Sequence, residues 1–363
     1  MNSRLEQKKV VLVFLGSKGG GAQVLYSILR DLEIQEIDVW ICKCLDTTPI
    51  STLINVRYTH FHIPHSIKDV LNPLSFLSSF VSLLVMFTKS IISNNVVFVQ
   101  IMPSPTDRVI DFGANIRENS IVRLIHDSVS HPGENWPTKR AISTRARKAD
   151  QVIVFSKYVA SQISDFCKES VLLCNLPSVH FAGSGEHTLT KKFRDIFSVK
   201  DVPVILFLGR IVDYKGIDKF LDELQHVRLP YRFVIAGEGK FYSSLATFDK
   251  VAVVNRWLSD EEFNYALNEA NIVVFPYLEA SQSGIIPVAR SKSKIILSTT
   301  VGGLSEQLSN YHSAYIYPKI TKFEIENVLK AASEFSSKQS NSTDVPKGRE
   351  ISIVLKDLIQ KFG

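Results

Sequence analysis

The sequence predicts an α/β fold of two Rossmann-like domains, each built around a parallel sheet. Three observations support this prediction. Apolar, β-branched runs alternate with helix-like segments, an order typical of parallel β–α–β units. The 363 residues exceed what one ordinary hydrophobic core organises. A polar stretch from Leu176 to Asp201, which contains Pro177, Gly183 and Gly185, separates two such series.

The first series begins with an apolar run from Lys9 to Leu15, which is typical of a buried parallel strand. A helix-like pattern follows from Ala22 to Asp31. Further strands of this series are predicted at Asp38–Cys42, Val96–Ile101, Ile121–Ile125 and Gln151–Phe155. The pattern therefore predicts a first domain over 1–180, followed by a linker over 181–199.

The second series begins with the apolar run Val202–Leu208. Its further strands are predicted at Tyr231–Ala236, Val251–Val254, Ile272–Phe275 and Lys294–Ser298. This pattern predicts a second domain over 200–340. A polar run then leads to a C-terminal helix over 348–363, for which packing against the first domain is left open.

Composition and charge limit the functional classes. Hydrophobic residues make up 45% and charged residues 21% of the chain, as in a soluble globular protein. The formal net charge of +6 favours an acidic partner, such as phosphate or an anionic membrane surface, and is too small to indicate nucleic acid. Only six apolar residues follow the polar segment from Met1 to Lys9, too few for a signal peptide. We therefore expect a cytoplasmic protein, with peripheral association at the inner face of the membrane left open.

The four cysteines do not indicate a metal site. They are Cys42, Cys44, Cys167 and Cys174, and no pair combines with histidines at zinc-site spacing. Because the chain is expected to stay in the cytosol, we expect all four to be reduced thiols.

One segment of the first domain, from Leu71 to Phe87, is strongly apolar but carries serines at helical spacing. Pro73 and Lys89 cut it short of the roughly 20 apolar residues that a membrane span needs. Three interpretations stay open: a core helix, a membrane span, and a helix that also contacts the bilayer or a lipid-linked molecule.

A run of cations at helical spacing follows later in the first domain. It consists of Lys139, Arg140, Arg145, Arg147 and Lys148. This run is either a solvated helix face or a patch that binds phosphate or anionic lipid.

A glycine-rich turn, Gly19–Gly21, lies between the first predicted strand and its helix. Such a turn can present backbone N–H groups and the positive end of a helix to an anion. It matches neither the dinucleotide pattern nor the Walker pattern, so a purely structural turn is equally consistent with the sequence.

The second domain carries two more informative loops. In the first, Arg210 and Lys215 lie five residues apart after a strand, a combination suited to a diphosphate, although two solvated cations remain the alternative. In the second, which follows the strand Ile272–Phe275, Glu279 can accept hydrogen bonds from sugar hydroxyls. The amides that open the next helix, at 284–286, can bind anionic oxygen.

Four motifs of the second domain recur together in a known family. They are G-R-x4-K-G at 209–216, A-G-E-G at 236–239, P-Y-x-E-A-S-Q-S-G at 276–284 and V-G-G-L-S-E at 301–306. Their order and spacing resemble the donor-binding domain of retaining glycosyltransferases of family four. The glycine-rich turn, His126-Asp127 and Ala149-Asp150 of the first half are similar to the same family. The resemblance spans most of the chain and implies the GT-B fold, with two parallel sheets facing an interdomain cleft, an acceptor-binding first domain and a donor-binding second domain.

The resemblance also implies roles for individual residues. Arg210 and Lys215 would hold the diphosphate of a nucleoside-diphosphate sugar, Glu279 would lie near the donor sugar, and His126 near its reacting face. Two turns would assist, formed by Gly19, Gly20 and Gly21 and by Ser283, Gly284, Ile285 and Ile286. Neither a cofactor nor a metal is expected, because cations and helix dipoles stabilise the leaving diphosphate. Asn255, Arg256 and Trp257 are expected near the nucleotide base.

The sequence departs from the family pattern at one point. Members of the family have two glutamates separated by seven residues. If Glu279 is the first of them, Pro287 stands at the position of the second. If the positions are counted from Gly284 instead, they fall on Ser281 and Ala289. The expected function is still retaining transfer of a hexosyl unit to a hydroxyl acceptor, with a lipid-linked oligosaccharide of surface polysaccharide biosynthesis as the favoured acceptor and a saccharide as another. The alternative is an inactive nucleotide-sugar-binding subunit that supports a partner transferase.

Overall fold

The computed structural model describes residues 9–17, 19–32, 37–51, 53, 55–64, 69, 71–130, 137–177, 189–199, 202–240, 249–335 and 349–362. The described residues form two compact units. The first unit comprises 9–130, 137–177 and 349–362, and the second comprises 189–335.

The described residues form two parallel sheets, one in each unit. The first has seven strands in the order β3-β2-β1-β4-β5-β6-β7, and the second has six in the order β10-β9-β8-β11-β12-β13. The strands are β1 (Lys9–Phe14), β2 (Ile37–Cys42), β3 (Val56–Phe61), β4 (Val96–Gln100), β5 (Ser120–Ile125), β6 (Gln151–Val154), β7 (Leu172–Leu173), β8 (Val204–Leu208), β9 (Arg232–Ala236), β10 (Val251–Val254), β11 (Ile272–Phe275), β12 (Ile295–Thr299) and β13 (Ala314–Tyr317). The prediction of an α/β fold with two parallel sheets is confirmed.

Twelve α-helices lie within the described ranges. They are α1 (Gly20–Asp31), α2 (Pro73–Ile92), α3 (Asp107–Ile116), α4 (Lys139–Lys148), α5 (Lys157–Ile163), α6 (Lys191–Asp195), α7 (Ile217–Leu224), α8 (Asp260–Glu269), α9 (Ile285–Ser291), α10 (Leu304–Leu308), α11 (Lys322–Phe335) and α12 (Ile351–Phe362).

The alternation of side chains along β1 divides the core of the first unit into two layers. Leu12 and Phe14 pack with residues of α1 and α12, whereas Val11 and Val13 pack on the other face with residues of α2 and α3. This division follows from the two-residue period of a strand, in which successive side chains point to opposite faces. Helix α12, the last in the chain, therefore belongs to the core of the first unit.

Helix α2 corrects one interpretation of the sequence. It begins at Pro73, where the side chain of Asn72 caps it, and extends to Ile92, beyond the predicted end at Phe87. Eight of its large apolar side chains are 40% to 79% exposed, so the core-helix interpretation is wrong. Of the helices described, α2 is the one long and apolar enough to cross a membrane by length and composition.

The cysteines give a second correction. Cys42 and Cys44 form a disulfide across the turn that follows β2, with their Cα atoms 5.3 Å apart, so the expectation of four reduced thiols is wrong for this pair. The turn brings the two Cα atoms into the range that a disulfide spans. Cys167 and Cys174 are free thiols, and burial raises the pKa of Cys174 to about 12.

Candidate functional site

The loops that carry the predicted cations and Glu279 meet at one end of the second sheet. The loop 209–216 follows β8 and the loop 276–284 follows β11, and these two strands are neighbours in the sheet. The strand order reverses between them, because β9 and β10 extend to one side and β12 and β13 to the other. In open parallel sheets, ligands bind outside the carboxyl ends of the strands at such a reversal point.

Direct backbone hydrogen bonds hold the two loops together. The carbonyl oxygen of Tyr214 accepts from the amide of Leu278 at 2.7 Å and from that of Glu279 at 3.4 Å. Gly216 permits this approach, since it has a φ of 68° and a Cβ there would lie 2.1 Å from the carbonyl oxygen of Pro276. The structure therefore brings Arg210, Lys215 and Glu279 onto adjoining loops.

Lys215 lies on aromatic rings rather than in open solvent. Its Nζ is 5.1 Å from the ring centre of Tyr277 and 5.7 Å from that of Phe207. Burial, together with a smaller effect of the neighbouring charge of Arg210, lowers the pKa of Lys215 to about 7. A group with this pKa is only partly protonated at neutral pH, and an anion in the site would favour its charged form.

Tyr277 was not among the predicted site residues, although it stands inside the P-Y-x-E motif. It is 2% exposed, and its hydroxyl has no hydrogen-bond partner among the described residues. Burial raises the pKa of Tyr277 to about 12, against opposing effects of the nearby Ser283 hydroxyl and the Arg210 charge. Its position places a buried polar atom beside the two cations.

The rest of the loop is clamped by Gln307 of α10, which sequence analysis also missed. The amide of Ser283 donates to Oε1 of Gln307 at 2.7 Å, and Nε2 of Gln307 donates to the Ser283 carbonyl at 3.1 Å. The Ser283 amide therefore has a partner within the protein, and the amide of Ile285, one of the three predicted to bind anionic oxygen, donates to Oγ of Ser283 at 3.4 Å. Gly284 is exposed and caps α9, which begins with Ile285 and Ile286.

The residues expected near the base form structural contacts of the second unit. Asn255 accepts from the amide of Gly239 at 3.0 Å, so it holds the A-G-E-G turn. Arg256 forms two hydrogen bonds of 2.6 Å with Glu262, and Trp257 is 46% exposed. The same turn contacts the cation loop, because the amide of Ile211 donates to the carbonyl of Glu238 at 2.9 Å.

In the first unit, the glycine-rich turn opens α1 without a side-chain cap. Gly19 has a φ of 92°, and side chains at Gly19 or Gly20 would meet open space, whereas a Cβ at Gly21 would lie 2.4 Å from Met102. Gly21 thus permits close packing, and the first two glycines leave the end of α1 accessible. The structure puts these residues in the first unit and Arg210, Lys215 and Glu279 in the second.

His126 directly follows β5. The segment after β4 lies beside both this histidine and the glycine-rich turn, through Ile101 and Met102 respectively. It hydrogen-bonds to the backbone of Ile101, and its ring lies 4.8 Å from that of Phe155. Its Nε2 is buried and has no partner among the described residues. Burial holds the pKa of His126 below its ordinary value, and the opposing effect of Asp127 is smaller. His126 is therefore a neutral imidazole with one ring nitrogen available.

In the part of the chain that the structure describes, no group of three or more His, Cys, Asp or Glu residues could hold a metal ion. The expectation of a site without metal or cofactor stays a prediction.

Comparison with known proteins finds a family model that matches most of the second unit. The model of the family described as "Glycosyl transferases group 1" matches residues 202–330. An uncharacterized glycosyltransferase of Methanocaldococcus jannaschii is 23% identical over 164 residues, 44% of this chain and 42% of that protein. Alpha-D-kanosaminyltransferase of Streptomyces kanamyceticus is 21% identical over 208 residues, 53% of each protein. The chain thus spans about half the length of the curated relatives it matches.

Comparison with solved structures covers nearly the whole chain. HepE of Anabaena, solved in complex with UDP and glucose, is similar with a TM-score of 0.70 and 14% identity over 98% of both chains. At this identity the likeness establishes the fold. Residues 202–330 thus match the Glycosyl transferases group 1 model, in a chain that has the GT-B fold.

Proposed function

We propose that this protein is a retaining glycosyltransferase that moves a hexosyl unit from a nucleoside-diphosphate sugar to a hydroxyl acceptor. The observation that carries the proposal is the meeting of the Arg210–Lys215 loop and the Glu279 loop at the reversal point of the second sheet. The Glycosyl transferases group 1 match over 202–330 supports the same reaction class. The UDP and glucose named with Anabaena HepE are consistent with such a donor.

In this proposal, Arg210 and Lys215 bind the diphosphate and stabilise the negative charge that develops as it leaves. Such charge stabilisation is usually the largest single contribution to catalysis. Lys215 begins with a pKa of about 7 and takes up a proton as the diphosphate binds. Two cations supply the charge that a metal ion would otherwise bring, so the proposed reaction needs no metal and no cofactor.

Glu279 accepts hydrogen bonds from hydroxyls of the donor sugar in this proposal, and the neutral His126 contributes an unpartnered ring nitrogen near the reacting face. Pro287 and Ala289, the positions at which a second glutamate would stand, are both buried in α9. Recognition of the ribose therefore does not use a carboxylate at either position. The proposed acceptor is a lipid-linked oligosaccharide of surface polysaccharide biosynthesis, supported by the basic balance of the chain and the exposed apolar residues of α2.

The experiment that tests the donor site is a thermal-shift panel with UDP, GDP, ADP, CDP and dTDP on the wild type, Arg210→Ala and Arg228→Ala. A nucleotide at about a hundred times its Kd should stabilise the folded protein by about 2.7 kcal/mol. We expect one nucleotide to raise the Tm of the wild type and of Arg228→Ala, and the shift to vanish in Arg210→Ala. Arg228 is the matched control, because it is an exposed arginine of the same unit outside the site loops.

A shift that persists in Arg210→Ala would contradict the proposed diphosphate site. Binding of a nucleotide without turnover of any of its sugar donors would instead favour the inactive, partner-supporting subunit.

A further inference from the structure

Helix α2 has an inverted distribution of polar and apolar residues. Its buried residues include Ser79, Met86 and Ser90, whereas five of its leucines and phenylalanines are 54% to 79% exposed, namely Leu74, Phe76, Leu77, Phe80 and Leu84. A surface helix of a globular protein ordinarily buries its apolar stripe and exposes its polar one. An outward apolar stripe of this length therefore needs an explanation other than the packing of the fold.

The inward serines of α2 have their hydrogen bonds satisfied. Ser79 donates to the carbonyl of Ser75, and Ser90 donates to that of Phe87, each at 2.8 Å. Ser82 accepts from the amide of His62 at 2.9 Å, and Ser75 is 2.9 Å from Nε2 of the same histidine. Small residues with satisfied hydroxyls let α2 lie close to the sheet, so its orientation is fixed by specific contacts.

Helix α3 continues the exposed apolar stripe. The rings of Phe87 and Phe112 stack with their centres 5.9 Å apart, and the side chain of Arg117 donates to the carbonyl of Ile91. Phe112 is 59% exposed and Ile116 is 50% exposed. We call the combined feature the apolar surface; its members are Leu74, Phe76, Leu77, Phe80, Val81, Leu84, Val85, Ile92, Phe112 and Ile116.

The charged residues around the apolar surface are mainly positive. Helix α2 contains no acidic residue and one lysine, Lys89. Helix α4 contains five cations and no acid, and it lies beside α3 because Arg145 pairs with the buried Asp107. Lys139 and Arg140 stand in the first turn of α4, where the helix dipole disfavours cations. An anion outside the protein would offset this unfavourable placement.

A membrane-spanning role for α2 conflicts with the topology. Helix α2 connects β3 to β4, which lie in the same parallel sheet of one unit. A helix that crossed a bilayer would put these two strands on opposite sides of it and break the sheet. A helix that lies in the plane of the membrane interface keeps both strands in place.

We propose that the apolar surface and the exposed cations of α4 bind an anionic lipid bilayer, with α2 lying in the plane of the interface. The apolar side chains enter the boundary between headgroups and acyl chains, and the cations contact acidic headgroups. Stable peripheral binding generally needs two such contributions. A symmetric pair of chains joined through this surface would bring two cationic α4 helices close together, which disfavours a second copy as the occupant. The proposal does not depend on the transfer reaction.

The test is flotation of the full chain with vesicles of phosphatidylcholine alone or of phosphatidylcholine with phosphatidylglycerol, at low and high salt. The variants are a triple α2 change (Phe76→Gln, Phe80→Gln and Leu84→Gln), a triple α4 change (Lys139→Gln, Arg140→Gln and Lys148→Gln) and Phe323→Gln. Phe323 is the matched control, an exposed phenylalanine of the second unit.

We expect the wild type and Phe323→Gln to bind acidic vesicles, with weaker binding at high salt and to neutral vesicles. Each triple variant should bind at least about tenfold more weakly, because it removes either three cations that attract acidic headgroups or three apolar side chains that enter the interface. Unchanged Tm values and an unchanged nucleotide-induced thermal shift establish that the variants are folded, and they separate this test from that of the proposed function.

Three outcomes would overturn the proposal. The first is a wild type that floats with neither vesicle, and the second is an α2 variant that floats as well as the wild type. The third is a lipid-free dimer in sedimentation velocity that the α2 variant converts to monomer, since the apolar surface would then bind a second copy.

Discussion

The two units have the same strand order but opposite surfaces on their crossover helices. In the first unit α2 leads from the edge strand β3 to β4, and in the second α8 leads from the edge strand β10 to β11. Helix α8 buries Ala266 and Leu267 and starts with a capping box formed by Ser259 and Glu262. Helix α2 buries serines and exposes leucines and phenylalanines. Topology therefore fixes where a crossover helix lies, and the side chains decide what its outer surface can bind.

The carboxyl ends of the two sheets differ in a similar way. In the second unit the reversal point carries two cations, one of them on aromatic rings. In the first unit the loop after β1, which corresponds to the loop after β8, carries an uncapped helix start at Gly19, and the neutral His126 follows β5. The second unit therefore carries positive charge at this end of its sheet, whereas His126 of the first unit is uncharged. The following predictions test these contrasts, beginning with the largest expected effect.

The largest effect is expected at the cations. Lys215→Ala and Arg210→Ala should each lower the rate of sugar transfer about 10²–10³-fold, because each removes charge stabilisation of the leaving diphosphate. The measurement is release of nucleoside diphosphate from the donor whose nucleotide gives the thermal shift. Arg228→Ala should keep the wild-type rate. Wild-type rates in both site variants would show that the second unit is not the donor site.

The crossover helices provide the next test. Leu267→Ala in α8 should lower the free energy of unfolding by about 2–5 kcal/mol, because Leu267 is fully buried. Phe80→Ala in α2 removes a larger side chain but should change the free energy of unfolding by only about 0.5 kcal/mol or less, since Phe80 is 57% exposed. Urea denaturation of both variants measures the difference. A cost at Phe80 equal to that at Leu267 would show that α2 is a core helix in solution.

A smaller effect concerns the pH dependence of nucleotide binding. The pKa of Lys215 is about 7 in the empty site, so the charged form is lost as pH rises through that value. Binding of a diphosphate favours the charged form, and affinity should therefore fall about tenfold between pH 7 and 8.5. Isothermal titration calorimetry with the nucleotide at several pH values measures this fall in affinity. Lys215→Met should bind weakly with a flat profile, and a wild-type profile that is also flat would contradict the role of Lys215.

The same pKa has a consequence for stability. A lysine whose pKa is depressed in the folded state lowers stability at neutral pH, because the unfolded chain binds the proton that the folded chain releases. Lys215→Met should thus raise the Tm at pH 7 while it weakens nucleotide binding. A lower Tm would show instead that Lys215 packs in a way that stabilises the loops.

The sequence predicted the central strands well and the edge strands poorly. Runs such as Ile272–Phe275 are buried on both faces, so they appear as continuous apolar segments. The missed strands β3, β7 and β13 all lie at sheet edges, where partial exposure or a length of two residues removes that signal. The outward orientation of α2 was also not predictable, because apolar and serine stripes at helical spacing are compatible with either face inward.

Sequence analysis identified the motifs of the candidate site but not the residues that hold those motifs in place. Arg210, Lys215 and Glu279 follow from the spacing of charged residues after strands. The ring of Tyr277 beneath Lys215 and the clamp of Gln307 on Ser283 depend on contacts between loops distant in sequence. No local pattern encodes such contacts, so only the structure reveals them.

The smallest expected effect separates the ring of Tyr277 from its hydroxyl. Tyr277→Phe keeps the ring beneath Lys215 and removes a buried hydroxyl without a hydrogen-bond partner in the described residues. Stability should therefore change by less than about 1 kcal/mol and in the stabilising direction. The pH dependence of nucleotide binding should stay that of the wild type, whereas Tyr277→Leu should alter it, since the cation then loses the aromatic face. If Tyr277→Phe weakened nucleotide binding tenfold while its Tm rose, the hydroxyl itself would contact the ligand, and the site would contain a third polar group beside its two cations.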